Sequence, residues 1–355
     1  MRPTLSVNLA ALRANYNILK AKHEKNNIAA VVKANAYGLG MQAVSLALQA
    51  EGCVLFFVAT LDEAVELRGY LPKADIAVFN GIFAGEEKTF TEHRIIPVIN
   101  SLEQGLGIRD WGLGIQKYFL HVDTGMTRLG LNESEIRKLY PQSPIPNPQP
   151  LLLLSHLACA NDPTHPKNAE QLARLKEAQA LLPNIPISFA NSSGHFLPKE
   201  YHFDIGRPGC SLYGITPTEN HNPMQHVATL SAPILQIRDL DRDETVGYSA
   251  TVDAKKGSRL AVTALGYADG YFRSQSNQRF AFINGYKAPI AGRVSMDMIT
   301  LDVSDIPESV LAQNPRAEFI NEQQPVDVIA AQCNTIGYEI FTRIGRRVEQ
   351  VYCEA

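Results

Sequence analysis

Short strand-like runs alternate with helical patterns from Ile28 to Arg207, and this alternation constrains the fold more than any other feature of the chain. Eight runs are rich in apolar residues, and most are separated by segments whose apolar residues recur at spacings of three and four. The runs are Ile28–Lys33, Val54–Ala59, Ile76–Gly81, Arg94–Asn100, Lys117–Asp123, Leu151–Ala158, Pro186–Ser192 and Phe203–Arg207. Strands that alternate with helices form a parallel sheet, and eight of them predict a closed (β/α)₈ barrel. Because the eighth run has the weakest pattern, an open doubly wound sheet stays an alternative.

The pattern changes after Tyr213. Thr216–Pro223 is rich in residues that break secondary structure, and beyond it alternating β segments replace the helical period. The segments are Ala232–Leu240, Arg259–Leu265, Arg279–Ile283 and Met298–Val303, with a turn at Asn284-Gly285. We predict an α/β barrel domain at residues 1–222 and a mainly β domain at residues 223–355. The proline-rich Pro141–Pro150 is predicted to be a stiff surface loop of the barrel.

Composition and charge exclude several classes of function. Of all residues 45% are hydrophobic and 19% charged, as in an ordinary globular protein, and the formal net charge of -3 includes no basic run. Neither nucleic acid nor a membrane is therefore expected as a partner. The N-terminal segment lacks the apolar core of a signal peptide and is interpreted as a short lead into an amphipathic helix. The five cysteines are scattered, which predicts reduced thiols in the cytoplasm and no metal site.

A lysine ends the first strand-like run. Lys33 follows the apolar residues 28–32, and a turn containing Gly38 and Gly40 comes after it. Such a lysine lies at the mouth of a sheet, where partial burial lowers the pKa of the amine and lets it form a Schiff base with an aldehyde. The simpler interpretation is a lysine that caps a strand and points into solvent. A dinucleotide site is excluded, because the third glycine of that motif is missing.

Polar residues also follow the other predicted strands, at the end of a barrel where active sites form. They are Tyr37 after the first strand, Arg128 in the loop Asp123–Gly130, His156 after Ser155, the segment Asn191–Gly194, and Arg207 with Gly209 and Cys210. Glycines beside a serine expose backbone N–H groups that can bind a phosphate. A phosphate site combined with a Schiff-base lysine predicts pyridoxal 5′-phosphate (PLP) as the cofactor.

Each of these residues also has a simpler explanation. Arg128 could form a surface ion pair with Asp123. His156 could be an ordinary core histidine, and Arg207 could anchor its loop. The segment Asn191–Gly194 is explained as a turn. Their joint placement at successive strand ends is not explained in this way, and it favours the cofactor site.

Several motifs resemble those of one enzyme family. They are Val32–Gly38, Asp123–Met126 followed by Arg128–Gly130, Gly247–Thr251, Gly266–Gly270, Gly292–Met298, and Tyr338-Glu339 with Arg343. Over essentially its whole length the chain resembles the bacterial alanine racemases, PLP enzymes with a (β/α)₈ barrel and a C-terminal β domain. The resemblance implies interconversion of L-alanine and D-alanine in the cytoplasm. Its usual role is D-alanine biosynthesis for peptidoglycan, although alanine catabolism uses the same chemistry.

The resemblance also implies the roles of individual residues. Lys33 is expected to be the Schiff-base residue and the base that acts on D-alanine, and Tyr248 the opposing base for L-alanine. Because a phenol has a pKa of about 10, positive charge near Tyr248 has to lower it. Arg207 is expected to bond the pyridine nitrogen, with His156 beside the ring and bonded to Arg207. The other expected cofactor contacts are Tyr37, Asn191, Ser192, Gly209, Cys210 and Tyr338, and the expected substrate contacts are Arg128 and Met296.

Two further expectations concern the assembly and one departure from the family. Family enzymes are homodimers in which the β domain of one chain caps the barrel of the other, so a head-to-tail homodimer with shared active sites is expected. Many relatives carry a lysine at the position of His121, and its carbamylated form orients the arginine that corresponds to Arg128. Histidine cannot form that anion. We therefore expect His121 to bond Arg128 directly, or through an anion or a water molecule.

Three alternatives remain at this stage. A racemase of broader specificity would use the same framework with a wider substrate pocket. A PLP-dependent decarboxylase would need a cysteine from the C-terminal domain, and neither Cys333 nor Cys353 has the expected setting. A non-catalytic PLP-binding carrier would consist of a barrel alone, whereas this chain has a second domain.

Overall fold

The computed structural model describes residues 2–110, 115–140, 150–219, 222–313 and 315–354, without the side chains of residues 109 and 110. The chain divides into two compact units, which we call the barrel unit, Leu12–Gln225, and the β unit, Met1–Ala11 with His226–Ala355. The predicted domain limits at residues 222 and 223 stay a prediction. Most of the predicted loop Pro141–Pro150 lies outside the described residues, as do residues 220 and 221 of the predicted linker.

Seven of the eight predicted strands form one parallel sheet. Strand β1 (Thr4–Asn8) belongs to the β unit, and the barrel strands follow it: β2 (Ala30–Val31), β3 (Leu55–Val58), β4 (Asp75–Val78), β5 (Ile96–Ile99), β6 (Phe119–His121), β7 (Leu152–Leu154) and β8 (Ile187–Ser188). They lie in sequence order, each hydrogen-bonded to the next. This order is that of a (β/α)₈ barrel, and the predicted fold class is confirmed.

The eighth predicted run, Phe203–Arg207, is not a regular strand. Its position is taken by the extended segment 205–208, whose Gly206 and Pro208 carbonyls accept bonds from the N–H groups of Ala29 (2.8 Å) and Val31 (3.0 Å). On the other side Arg207 donates its backbone N–H to the carbonyl of Ala190 at 2.8 Å. Proline has no N–H to donate, so a continuous ladder cannot form here. The sheet therefore closes through an irregular segment, as a barrel rather than an open sheet.

Helices separate the barrel strands as the sequence predicts. They are Leu9–Lys22, Met41–Ala50, Leu61–Tyr70, Glu87–Glu92, Leu102–Asp110, Glu133–Leu139 and Pro166–Leu181, with a helical turn at Lys33–Tyr37. The helix Leu61–Tyr70 starts at a capping box, in which Thr60 and Glu63 bond each other's backbone N–H groups. The predicted helices Leu61–Arg68 and Pro166–Leu182 are confirmed within two residues at each end.

Alternate residues of the barrel strands fill the barrel interior. The core consists of Ala29, Val31, Phe57, Ala77, Ile96, Val98, Phe119, Leu152 and Leu154, with Tyr37, Leu55, Phe79 and Ile205 packed against it. Side chains of a strand point to opposite faces in turn, so every second residue faces inward. The interior is a packed core, and only the ends of the strands are available for chemistry.

The β unit contains the remaining strands. They are β9 (Ala228–Asp239), β10 (Glu244–Val246), β11 (Val252–Ala254), β12 (Arg259–Thr263), β13 (Phe280–Ile283), β14 (Tyr286–Pro289), β15 (Ile299–Asp302), β16 (Arg316–Ile320) and β17 (Glu349–Cys353). An eight-stranded sheet has the order β14-β13-β16-β9-β1-β17, with β12 paired to β9 and to β15. Asn284 and Gly285 have φ angles of 47° and 83° in the turn between β13 and β14, as predicted. Three short helices, Glu308–Leu311, Val326–Gln332 and Gly337–Arg343, complete this part.

Strand β1 was not predicted from the sequence. It pairs antiparallel with β9 and parallel with β17, where Thr4 lies opposite Glu349. Its Leu5 and Val7 are fully buried, whereas the residues between them are only partly buried. Five residues with two apolar positions are too short a pattern to identify a strand. The N-terminal segment does lead into the helix Leu9–Lys22, as expected, but it is itself a strand, which the sequence did not predict.

Candidate active site

Polar side chains stand at the carboxyl ends of the barrel strands, two positions beyond residues of the core. The pairs, core residue first, are Val31 and Lys33, Val98 and Asn100, Phe119 and His121, Leu154 and His156, and Ile205 and Arg207. Residues two apart on a strand share a face, so these polar groups continue the inward-facing rows. The charges of Arg207, Arg128 and Lys33 all act on His156. The structure thus brings together Lys33, Arg128, His121, His156 and Arg207.

Lys33 is half-buried at the end of β2. Its Nζ lies 5.7 Å from the centroid of the Phe79 ring. Burial and the nearby charge of Arg128 lower the pKa of Lys33, and the opposing effects of Glu63 and Cys210 are smaller. An amine with a lowered pKa is more often neutral at physiological pH, which is the form that reacts with an aldehyde.

The backbone after Lys33 forms a left-handed turn. Residues 34–37 have φ angles between 53° and 57°, although none of them is glycine. This conformation costs about 1 to 2 kcal/mol per residue, so surrounding contacts have to hold it. Glu63 Oε1 accepts the N–H of Ala34 at 2.6 Å, while Oε2 accepts the N–H of Ala59 at 2.8 Å. Sequence reasoning missed Glu63. The sequence offered one indication of its role, the three-residue spacing from Thr60 that is typical of a capping box.

Replacing Glu63 with alanine is expected to lower the free energy of unfolding by about 2 kcal/mol, because charge-assisted bonds to the Lys33 turn and to the helix start are lost. Urea unfolding followed by circular dichroism measures this. The control is Glu66→Ala on the same helix. Among the described residues, the Glu66 carboxylate accepts a single bond, from the surface hydroxyl of Tyr70, and its loss is expected to cost less than about 0.5 kcal/mol. Equal stability of Glu63→Ala and wild type would show that the turn does not depend on Glu63.

Arg207 is a buried cation in the closing segment. It is 3% exposed, and its guanidinium donates to the carbonyls of Ser188 and Ser155 and to the Ser188 hydroxyl. These acceptors are neutral, and burial lowers the pKa of Arg207 to about 9, so the group remains charged at neutral pH.

The expected bond between His156 and Arg207 is not among the hydrogen bonds of the described residues. The charge of Arg207 acts on that histidine instead.

Both site histidines are neutral at physiological pH. Burial, followed by the charges of Arg207 and Arg128, lowers the pKa of His121 and of His156 to about 3. His121 Nδ1 lies 2.8 Å from Oδ1 of Asn100, a residue that sequence reasoning did not identify. The expected bond from His121 to Arg128 stays a prediction.

The loop that carries Arg128 is held by its own first residue. Asp123 Oδ1 accepts the backbone N–H groups of Gly125, Met126 and Thr127 at 2.9 to 3.1 Å. Burial alone would raise the pKa of Asp123, but these bonds and the neighbouring His121 lower it. Among the described residues no ion pair joins Asp123 to Arg128. The simpler explanation of Arg128, a surface ion pair with Asp123, is therefore not supported.

The expected phosphate-binding residues of the barrel unit lie together. Ser192 Oγ accepts the N–H groups of Gly209 at 2.9 Å and Ser211 at 3.3 Å. A Cβ added to Gly209 would stand 2.4 Å from the Tyr37 hydroxyl. Only glycine therefore lets the backbone at position 209 come this close to Tyr37. Cys210, half-buried, begins the short helical turn that follows. Asn191 Oδ1 accepts the N–H of Gly194 at 2.9 Å and shapes the adjoining turn.

The expected site residues of the β unit are exposed. Tyr248 is 69% and Met296 52% exposed, and Tyr338 is also on the surface. Tyr248 follows Gly247 in a turn where both Gly247 and Ser249 have a positive φ. The Met296 carbonyl accepts the N–H of Ala268 at 3.0 Å, so the loops Gly266–Gly270 and Gly292–Met298 support each other.

The described residues also bear on metal binding and on membrane insertion. Within the described ranges, no three His, Cys, Asp or Glu side chains are grouped so that they could bind a metal ion. None of the described helices is long and apolar enough to cross a membrane.

Known proteins match both units. The model of the alanine racemase N-terminal domain matches residues 7–217, and that of the alanine racemase C-terminal domain matches residues 227–352. The chain belongs to the alanine racemase family. It is 42% identical over 370 residues to the alanine racemase of Brucella canis, across 98% of this chain and 93% of that protein. It is 40% identical over 369 residues to the alanine racemase of Rickettsia akari, across 99% of each.

Solved structures of alanine racemases share the fold. The alanine racemase from Bartonella henselae with covalently bound pyridoxal phosphate has a TM-score of 0.90 and 36% identity, covering 99% of this chain and 100% of that one. The biosynthetic alanine racemase from Pseudomonas aeruginosa has a TM-score of 0.89 and 34% identity over the same shares. The family resemblance drawn from the sequence motifs is therefore confirmed.

Proposed function

We propose that this chain is a PLP-dependent isomerase that interconverts L-alanine and D-alanine. The observation that carries the proposal is the pairing, in one barrel mouth of this family's fold, of a half-buried lysine with a buried arginine. Lys33 provides an amine with a lowered pKa, and Arg207 provides a permanent hydrogen-bond donor. Relatives that are about 40% identical over nearly their whole length are alanine racemases.

The residues of the barrel mouth fit PLP. PLP is an anion. The barrel mouth holds the cations Lys33, Arg128 and Arg207, while His121 and His156 stay neutral. Lys33 would hold it covalently, and Arg207 with His156 would contact its ring. The phosphate would lie among the hydroxyl and backbone N–H groups of the remaining residues, which are Tyr37, Asn191, Ser192, Gly209, Cys210 and, from the β unit, Tyr338. When bound, PLP withdraws electrons from the α-carbon of an attached amino acid, so that the α-proton can be removed by a side-chain base.

Racemisation needs two proton-transfer groups on opposite faces of the α-carbon. We assign Lys33 to the D-alanine side, because its lowered pKa lets the free amine accept a proton. We assign Tyr248 to the L-alanine side, since its turn leaves the phenol exposed to a partner surface. In the homodimer proposed below, the barrel mouth of the partner copy would place the positive charges of Arg128 and Arg207 near this phenol.

Arg207 and Arg128 have different tasks in this proposal. A guanidinium has no hydrogen-bond acceptor and keeps its proton, so Arg207 would leave a ring nitrogen bonded to it unprotonated. We infer that this weakens electron withdrawal and limits side reactions. Arg128 has a planar fork of donors that suits a carboxylate, and we assign it to the substrate carboxylate together with the backbone N–H of Met296.

We also propose a head-to-tail homodimer in the cytoplasm. Large apolar side chains are exposed on the β unit, and burying them on a second copy of the chain would be favourable. They include Tyr248, Tyr267, Met296, Met298 and Tyr338. In this arrangement Tyr248 and Met296 of one copy complete the barrel mouth of the other. The expected role is supply of D-alanine for peptidoglycan.

Chiral analysis tests the proposed function. Purified protein incubated with L-alanine and PLP is expected to give equal amounts of both enantiomers, because they have equal free energies in water. Protein stripped of PLP is expected to give none until the cofactor is added. Parallel incubations with L-serine and L-lysine test the broader-specificity alternative. Unchanged L-alanine in the presence of bound PLP would contradict the proposal.

A further inference from the structure

Asn100 is a buried amide at the carboxyl end of β5, and its orientation is set by the backbone. Its Nδ2 donates to the carbonyls of Phe79 at 2.7 Å and Val98 at 2.9 Å. Carbonyl oxygens only accept hydrogen bonds, so both bonds require the NH₂ group on that side. The Oδ1 atom must therefore face the other way, towards His121 Nδ1 at 2.8 Å.

This orientation determines the tautomer of His121. The Asn100 oxygen is an acceptor, so Nδ1 of His121 has to carry the hydrogen atom. In a neutral imidazole the second nitrogen, Nε2, is then an acceptor with a free lone pair for an N–H donor. The ring is neutral, since burial and the charges of Arg207 and Arg128 lower the pKa of His121 to about 3.

The same two residues also anchor the loop that carries Arg128. The carbonyl of Asn100 accepts the N–H of Gly130 at 3.1 Å, and the carbonyl of His121 accepts the N–H of Leu131 at 2.8 Å. Asn100 is itself held in place, because its N–H donates to Gln104 Oε1 at 2.8 Å. One residue thus connects three barrel strands and the end of the Arg128 loop.

We propose that Asn100 is a positioning residue for Arg128: it holds His121 as the neutral Nδ1–H tautomer, whose Nε2 offers an uncharged acceptor to the guanidinium. The expected effect on catalysis rests on the proposed function. The tautomer of His121 does not. It implies that this chain orients Arg128 without an anion at position 121. Asn100 does not touch the substrate in this proposal and acts through His121 and the loop.

Nitrogen-15 NMR of histidine-labelled protein tests the tautomer directly. The wild-type signal of His121, assigned by its loss in His121→Gln, is expected to show a protonated Nδ1 and a bare Nε2, without titration between about pH 5 and pH 8. In Asn100→Ala both tautomers are expected, because the fixed acceptor is gone. A wild-type signal with the proton on Nε2, or one from a cationic ring at neutral pH, would overturn the proposal. This measurement does not depend on activity.

Kinetics separate positioning from a merely structural effect. Asn100→Ala is expected to raise KM for alanine about tenfold, about 1.4 kcal/mol, with kcat changed less than about threefold. The matched control is Asn15→Ala, because buried Asn15 also donates to two carbonyls, those of Leu212 and Gln225, but bonds no histidine within the part of the chain that the structure describes. It is expected to lose stability without a change in KM. Equal changes in KM for the two variants would overturn the positioning role.

Absence of racemisation in wild type would contradict the proposed function and leave the tautomer test valid.

Discussion

Replacing Lys33 with alanine is expected to reduce kcat/KM for alanine racemisation by about 10⁴-fold or more in both directions. The variant loses two things at once, the amine that binds the cofactor covalently and one of the two proton-transfer groups. The amine is half-buried with a lowered pKa, and Glu63 bonds the backbone of the turn that follows it. Chiral chromatography of L-alanine and D-alanine incubations measures the rate. The absorbance of covalently held PLP after dialysis measures the attachment.

Two controls make this result specific. Lys22→Ala removes an exposed lysine of the barrel unit, one that lies over the ring of Phe196, and is expected to leave both rate and cofactor absorbance unchanged. Lys33→Arg keeps a positive charge but cannot release a neutral amine, so it is expected to be as inactive as Lys33→Ala. If Lys33→Ala kept wild-type turnover, or still held PLP covalently after dialysis, the assignment of Lys33 would be wrong.

Replacing Tyr248 with phenylalanine is expected to reduce racemisation by about 10²- to 10⁴-fold while PLP remains bound. The enantiomers have equal free energies, so kcat/KM has to fall equally in both directions. The asymmetry is expected in exchange of the α-hydrogen in deuterated water, which NMR follows. Lys33 still acts on D-alanine, so D-alanine exchanges its α-hydrogen and keeps its configuration, whereas L-alanine exchanges slowly.

The control for this variant is Tyr286→Phe, which removes the hydroxyl of another exposed tyrosine in the β unit. It is expected to racemise alanine at the wild-type rate. Equal loss of exchange from both enantiomers in Tyr248→Phe would contradict the two-base assignment, and undiminished racemisation would remove Tyr248 from the mechanism.

The sequence was sufficient for most of the barrel because its signals are local. The apolar run before Lys33 and its equivalents identify seven strands within a few residues, since a buried parallel strand is continuously apolar. The same period places Lys33, His156 and Arg207 at strand ends. Once those ends meet at one mouth, a lysine beside two arginines is enough to predict an anionic cofactor.

Other parts of the site depend on contacts between distant residues and could not be predicted. Asn100 was only the last residue of a predicted strand, and its importance comes from His121, which lies 21 residues away in the chain. The left-handed turn after Lys33 contains no glycine, so propensity alone would not suggest it. Its shape depends on a bond from Glu63, 29 residues beyond Ala34. The closing segment around Pro208 is irregular for a local reason, but its pairing partners are again remote.

Strand β1 has a consequence for biosynthesis. During translation β1 is made before both of its partners, so it must wait for β9 and β17, which emerge from the ribosome much later. Until then its edge of unpaired N–H and C=O groups is a target for chaperones or for wrong partners. The barrel unit can begin to fold on the nascent chain, but the sheet that pairs β1 with β9 and β17 can form only after β17 has been synthesised.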